Sequence, residues 1–159
     1  MVVEAVAKLI KVLEKEGVLV KEIIAVAGKE IEALASGDSD GLLRAVSLQE
    51  RLTAALVGLE NERCAAQRAV EKELNLPQNG KLSELPRFLP AEPGGILAGL
   101  RKRLAEDVAV LLRLQFRLSF LLRRALVVEE AVARILCRAG QGEGFAEAGL
   151  RPGLVDRSV

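Results

Sequence analysis

The stretch ALASGDSDGLLRAV, residues 33–46, interrupts a helical pattern with a run of small and polar residues. Gly37 suits the left-handed conformation that ends many helices. Asp38, Ser39 or Asp40 can each accept a hydrogen bond from the free N–H groups at the start of the next helix. A connection this short makes the two flanking helices antiparallel. The stretch therefore predicts a helical hairpin.

The first helix of this hairpin, predicted at about 2–36, carries apolar residues at alternating steps of four and three. This heptad spacing predicts a seam, meaning a line of side chains that faces the other helices. The charged residues between the seam positions are expected on an exposed face. The predicted seam is Val6, Ile10, Leu13, Gly17, Val20, Ile24, Ala27, Ile31 and Leu34. The predicted exposed charges are Glu4, Glu14, Lys15, Glu16, Lys21, Glu22, Lys29, Glu30 and Glu32.

Two further long helices are predicted, at about 39–75 and 94–138. The connection between them, residues 75–95, contains four of the five prolines, which excludes a continuous helix. Apolar residues in the connection indicate that it packs back onto the helices. These residues are Leu82, Leu85, Phe88 and Leu89.

The fold class that follows is all-α, an antiparallel bundle of three long helices with a Pro-rich connection. We expect a single helical-bundle domain at 1–138, followed by a flexible, Gly-rich C-terminal tail at 139–159. Cys64 and Cys137 lie too far apart in this architecture to form a disulfide, so both are expected to act as small apolar residues.

The composition of the 159-residue chain limits the classes of function that it can have. Half of the residues are apolar, but there is no His, Trp or Tyr, and the net charge is +1. Without histidine the commonest general base and metal ligand is missing, so we expect no enzyme, no cofactor and no metal site. The charged N-terminal pattern does not fit a signal peptide, and no uncharged run is long enough to cross a membrane. We expect a soluble, cytoplasmic protein.

The third helix carries more apolar residues than a three-helix core requires. Beside its seam runs a second line of apolar residues, called the apolar row below, with arginines around it. Such a face suits the binding of a partner's amphipathic helix whose apolar side is flanked by acidic residues. In the alternative interpretation, Phe116 and Phe120 pack against the connection. The seam is Leu97, Leu100, Leu104, Val108, Leu111, Gln115, Leu118, Leu122, Ala125, Glu129, Val132 and Leu136, and the apolar row is Ala109, Leu112, Phe116, Phe120 and Val127.

Two seam residues of the third helix are polar. Gln115 either fixes the register of the helices at a cost in stability or marks a place where the seam is not buried. For Glu129 we expect exposure.

The hairpin sequence EALASGDSDGLLRAVSLQERLTAALVGLENER, residues 32–63, resembles the signature of the FlgN-type flagellar export chaperones. In that family the first helix ends in an "aL-sGD-d-L" turn, and the second helix continues with "E-L---l--lE-eR". The Pro-containing middle, the long third helix and the Gly-rich tail also agree. The matching residues are Ala33, Leu34, Ser36, Gly37, Asp38, Leu42, Glu50, Leu52, Leu59, Glu60 and Arg63.

The resemblance implies a non-enzymatic function. Such chaperones bind hook–filament junction proteins of the FlgK and FlgL type, keep their C-terminal helical segments from premature self-association, and help to deliver them to the export gate. The client is engaged mainly by the C-terminal part of the chaperone. The client-binding residues that we predict are Val108, Leu112, Arg113, Gln115, Phe116, Arg117, Ser119, Phe120, Arg123 and Val127, with tail contacts from Phe145 and Leu150.

Two other functions use the same helix. In the first, the apolar row pairs with a second copy, which makes the chain a structural coiled-coil or self-association module and a homodimer. In the second, the arginines bind nucleic acid. We expect no nucleic-acid partner, because acidic residues bracket the basic face at both ends. These are Glu106, Asp107, Glu129 and Glu130.

Overall fold

The computed structural model describes residues 2–140, and their regular structure is helical throughout. The helices are α1 (Val2–Ser36), α2 (Ser39–Glu73) and α3 (Ala91–Gly140), with a short 3₁₀ helix at Leu85–Phe88 before α3. The all-α prediction of three long helices is confirmed. The first helix has the predicted bounds, and the third begins three residues earlier than predicted. Pro93 does not delay it, because the first helical turn tolerates proline.

The turn between α1 and α2 has the predicted chemistry. Gly37 is left-handed, with φ of 71°, and the next amide, Asp38 N, donates to Ala33 O at 2.9 Å. Of the three candidate caps, Asp38 is the N-cap of α2: its Oδ1 accepts a hydrogen bond from Gly41 N at 2.9 Å. Both helix ends are therefore satisfied within a turn of two residues.

Helices α1 and α2 pack as an antiparallel pair, called the hairpin below. Glu16 of α1 lies beside Arg63 of α2, and Glu30, further along α1, lies beside Gln49. Glu30, the later residue in α1, thus contacts Gln49, the earlier residue in α2. This antiparallel order follows from the two-residue turn.

The buried stripe of α1 differs from the predicted seam at every second position. The buried positions are spaced alternately three and four residues apart, starting from Val6, where the predicted seam starts with a spacing of four. Glu16 and Glu30 are therefore buried, and the prediction that they lie on the exposed face is wrong. Ile10, Gly17 and Ile24 flank the stripe and are half-buried. Apolar residues occupy both 9 and 10, and both 23 and 24, so the pattern alone did not separate the two choices. The stripe is Val6, Leu9, Leu13, Glu16, Val20, Ile23, Ala27 and Glu30.

The main apolar cluster lies where the open end of the hairpin meets the connection and the start of α3. Leu85 and Leu89 are buried there, as predicted, and Leu82 packs against the cluster. Phe88 is 54 % exposed, so its predicted packing is wrong. Leu85 and Leu89 on either side supply the buried contacts of this part of the connection. The cluster is Val6, Leu9, Leu13, Ala66, Val70, Leu85, Leu89 and Leu97.

A buried carboxylate holds the connection in place. Glu71 accepts hydrogen bonds from the backbone amides of Asn79 at 2.8 Å and Gly80 at 3.1 Å. The side-chain amide of Gln67 donates to Glu71 Oε1 and to Gly80 O, each at 2.7 Å. Together they supply partners for backbone groups that a helix or sheet would otherwise satisfy.

The chain divides into two compact units between Phe116 and Arg117. The first contains the hairpin, the connection and the N-terminal part of α3. In the described part of the second, residues 117–140, only Leu118 and Gly140 are buried. None of the helices in the described residues has the length and hydropathy needed to cross a bilayer. The predicted tail, apart from its first residues, lies outside the described part of the chain.

Candidate functional site

The apolar row of α3 is exposed. Leu112 and Phe116, in the first unit, are 65 % and 77 % exposed, and Phe120 and Val127, in the second, are 56 % and 64 % exposed. The alternative in which the connection covers the two phenylalanines is therefore wrong. Large apolar side chains at this exposure leave an apolar surface in water, which is typical of a binding face.

Polar and basic side chains border the apolar row. Arg113, Arg117, Ser119 and Arg123 are all exposed. Val108, 38 % exposed, lies at the margin of the row. An arginine at such a rim keeps its guanidinium hydrated in the free protein and can pair with a carboxylate when a partner arrives.

Gln115 lies apart from this exposed face. It is half-buried, and when the Gln49 side-chain amide of α2 is oriented with its nitrogen towards Glu30, the Gln115 amide nitrogen donates to Gln49 Oε1. The Gln49 amide nitrogen in turn donates to the carboxylate of Glu30 on α1, at 3.1 Å from Oε2. Among the residues predicted for client binding in the first unit, Gln115 thus faces the hairpin.

The second unit presents further apolar residues that the sequence analysis assigned to a buried seam. Leu122, Val132 and Leu136 continue the seam but are 39 %, 48 % and 46 % exposed. Glu129, between them, is exposed as predicted. The signal was available in the lengths of the predicted helices, because the third has about ten residues more than its partners. The exposed side chains off the seam in this unit include Leu126, Val128 and Ile135.

Glu16, Glu60 and Arg63 form a cluster of ionisable residues in the hairpin. Burial, together with the nearby negative charge of Glu60, raises the pKa of Glu16 to about 7, while Arg63 opposes the shift. The Nε–H group of Arg63 donates a hydrogen bond to Glu60 Oε2 at 2.9 Å, and this bond lowers the pKa of Glu60. The cluster lies within the α1–α2 interface, so it acts on the packing of the hairpin.

No group of three or more metal-ligating side chains occurs among residues 2–140. Cys64 and Cys137 are free, half-buried thiols. The predicted tail contacts, Phe145 and Leu150, lie outside the part of the chain that the structure describes.

Comparison with known protein families gives a match that covers most of the chain. The family model described as FlgN protein matches residues 1–138 of the 159. No curated protein and no solved structure matches the chain. The matched family is one of chaperones, not of enzymes, and its members bind flagellar hook-associated proteins. The chain belongs to the FlgN family, which implies a role as a flagellar export chaperone.

Proposed function

We propose that the chain is a cytoplasmic chaperone for hook–filament junction proteins of the FlgK and FlgL type. It binds their C-terminal helical segments and prevents premature self-association before export through the type III export gate. The observation that carries the proposal is the exposure of Phe116, at 77 %, on a helix of a FlgN-family protein.

The apolar row supplies the binding energy in this proposal. Burying a large apolar side chain is worth about 1.5–3 kcal/mol, and Leu112, Phe116, Phe120 and Val127 are each more than half exposed in the free chain. Part of this gain offsets the entropy lost when the client helix is fixed. The row fits the apolar face of an amphipathic client helix, with anchors at steps of three and four residues.

The rim supplies selectivity in this proposal. Arg113, Arg117 and Arg123 pair with acidic residues on the flanks of the client helix, and Ser119 adds a hydrogen bond. Exposed ion pairs add little affinity, typically below about 1 kcal/mol each. They suppress partners with basic flanks instead. Phe145 and Leu150 of the tail add contacts to the client, and the entropy of ordering the tail limits their contribution.

A paired comparison tests the apolar row. Phe116→Ala/Phe120→Ala is expected to weaken binding of a junction protein's C-terminal peptide at least about tenfold in calorimetry, because two aromatic anchors are removed. The control is Leu43→Ala/Val57→Ala, which truncates two α2 residues of similar exposure, 68 % and 58 %. It should bind as the unaltered chain does. Helicity should be unchanged in both variants. Equal affinity of the two variants would overturn the assignment of the row.

The second candidate function is self-association through α3. It is favoured by the exposed apolar row, which includes Leu112, Phe116 and Phe120, because two such helices can pair along apolar residues at heptad spacing. Light scattering at several protein concentrations separates the two functions. A dimer that dissociates in Phe116→Ala/Phe120→Ala supports the self-association module, and a monomer that forms a complex with client supports the chaperone.

A further inference from the structure

A polar layer joins the three helices of the first unit. It consists of Glu30 of α1, Gln49 of α2 and Gln115 of α3, linked in that order by hydrogen bonds between their side chains. Glu30 is 1 % exposed, and both glutamines are half-buried. A heptad seam usually places an apolar residue at each of these three positions.

The layer weakens the attachment of the middle of α3. A buried ion or hydrogen-bonded triad is often less stabilising than apolar residues of the same volume, because its charge loses hydration. Burial without a cationic partner raises the pKa of Glu30, which indicates that this cost is present here.

The burial of α3 itself is consistent with weak attachment. Leu97 is fully buried in the main apolar cluster, with Leu100 and Leu104 packed against it. From residue 98 to residue 117, no residue of α3 is buried. The start of the helix is thus held by apolar packing, and the part near Gln115 is held by the polar layer.

We infer that the Glu30–Gln49–Gln115 layer is a built-in point of opening, at which residues 105–116 of α3 leave the hairpin while the start of α3 stays packed. The proposal concerns this chain alone and does not depend on the identity of a client. Once it leaves the hairpin, the segment loses the tertiary packing that supplies most of a helix's stability in proteins. Its backbone amides therefore exchange with solvent each time the segment opens.

Native-state hydrogen exchange read by mass spectrometry tests this on the full chain. In the unaltered protein, the protection factors of peptides covering 105–116 should be at least about tenfold smaller than those of peptides covering 94–104. The variant Glu30→Leu/Gln49→Leu/Gln115→Leu should raise protection of 105–116 about tenfold, since apolar packing replaces the layer. Protection of 94–104 should change much less.

Two further variants complete the experiment. Glu30→Gln keeps a hydrogen-bonding side chain but removes the buried charge, so it should raise protection of 105–116 by a smaller factor than the triple variant. The matched control, Glu32→Leu/Glu50→Leu, alters exposed neighbours on the same two helices and should leave the exchange pattern unchanged. The proposal is overturned if 94–104 and 105–116 exchange as one unit, or if neither Glu30→Gln nor the triple variant slows exchange of 105–116.

Discussion

Glu16 and Arg63 face each other across the α1–α2 interface, with Glu16 Oε1 3.9 Å from Arg63 Nε. This is too long for a hydrogen bond, because Arg63 directs its donors at Glu60 and at Gln67 Oε1, the latter at 2.8 Å. Glu16 Oε1 has no hydrogen-bond partner among the described residues, and the side chain is 3 % exposed. The hairpin thus contains a carboxylate whose charge is poorly compensated.

The first prediction is that the stability of the protein falls as pH rises from about 4.5 to 7. The pKa of Glu16 is about 7 in the folded protein against an ordinary value of 4.5. In this interval the unfolded chain loses the proton first, so unfolding releases a proton and is favoured by higher pH. At pH 8 the penalty is about 3 kcal/mol at most, at 1.36 kcal/mol for each pH unit. Urea denaturation at a series of pH values measures it.

Glu16→Gln removes the charge and should flatten this dependence. The variant is expected to be more stable than the unaltered chain at pH 8, by about 1–3 kcal/mol, and similar to it at pH 4. Glu14→Gln, at an exposed position of the same helix, is the control. An unaltered slope between pH 4.5 and 7 in Glu16→Gln would contradict the assignment. Glu30, whose pKa is also raised by burial, accounts for any remaining slope of the same sign.

The second prediction concerns the attachment of the connection. Glu71→Ala removes the acceptor of the Asn79 and Gly80 amides, both of which then lose their partner. We expect a loss of about 2–3 kcal/mol in the free energy of unfolding, because a hydrogen bond to a charged group is worth about 1.5–3 kcal/mol. Denaturation in urea at pH 7 measures the loss. Glu62→Ala, on the exposed side of the same helix, should change stability by less than about 0.5 kcal/mol.

Glu71→Gln sharpens this test. Its side chain has nearly the same volume, but it has one acceptor oxygen where Glu71 uses both to bind the two backbone amides. The glutamine should therefore be destabilising as well. If Glu71→Gln were as stable as the unaltered chain, packing rather than hydrogen bonding would hold the connection.

The third prediction concerns the turn. Gly37→Ala forces a side chain into the left-handed region at φ of 71°, at a cost of about 1 kcal/mol. Steric clash is not the cause, because the space around Gly37 is open. Asp38→Ala removes the cap on Gly41 N, at a similar cost of about 1 kcal/mol. Thermal unfolding followed by circular dichroism measures both. The cap assignment requires that Ser39→Ala, one residue later, have a smaller effect than Asp38→Ala.

Much of the fold could be predicted from local chemistry. The turn could be predicted because Gly37 and Asp38 are residue types typical of a helix end and a helix cap, and the connection could be predicted from its prolines. The buried stripe of α1 was harder, because apolar residues at both 9 and 10 satisfy two spacings equally well. Only the packing of α2 and α3 against α1 decides between them.

The candidate site was predictable in part, for a related reason. A second apolar row on a helix is visible in sequence, and so is its arginine rim. Whether Phe116 and Phe88 are covered depends on how the connection packs, which no periodicity encodes. The polar layer could be predicted only in part. Gln115 is a polar residue in an otherwise apolar seam, but nothing in the sequence distinguished Glu30 from a surface glutamate before its partner Gln49 was known.

The short turn at Gly37 has a consequence for synthesis of the chain. Contacts between α1 and α2 are local in sequence near the turn, so the hairpin can close as soon as residue 73 has left the ribosome, before α3 exists. The face that α3 later covers then stands in water. At that stage Glu30 is hydrated and ionised, and it interrupts an apolar strip that includes Ile23 and Ala27. A carboxylate that costs stability in the finished protein is thus expected to lower the tendency of the nascent hairpin to aggregate.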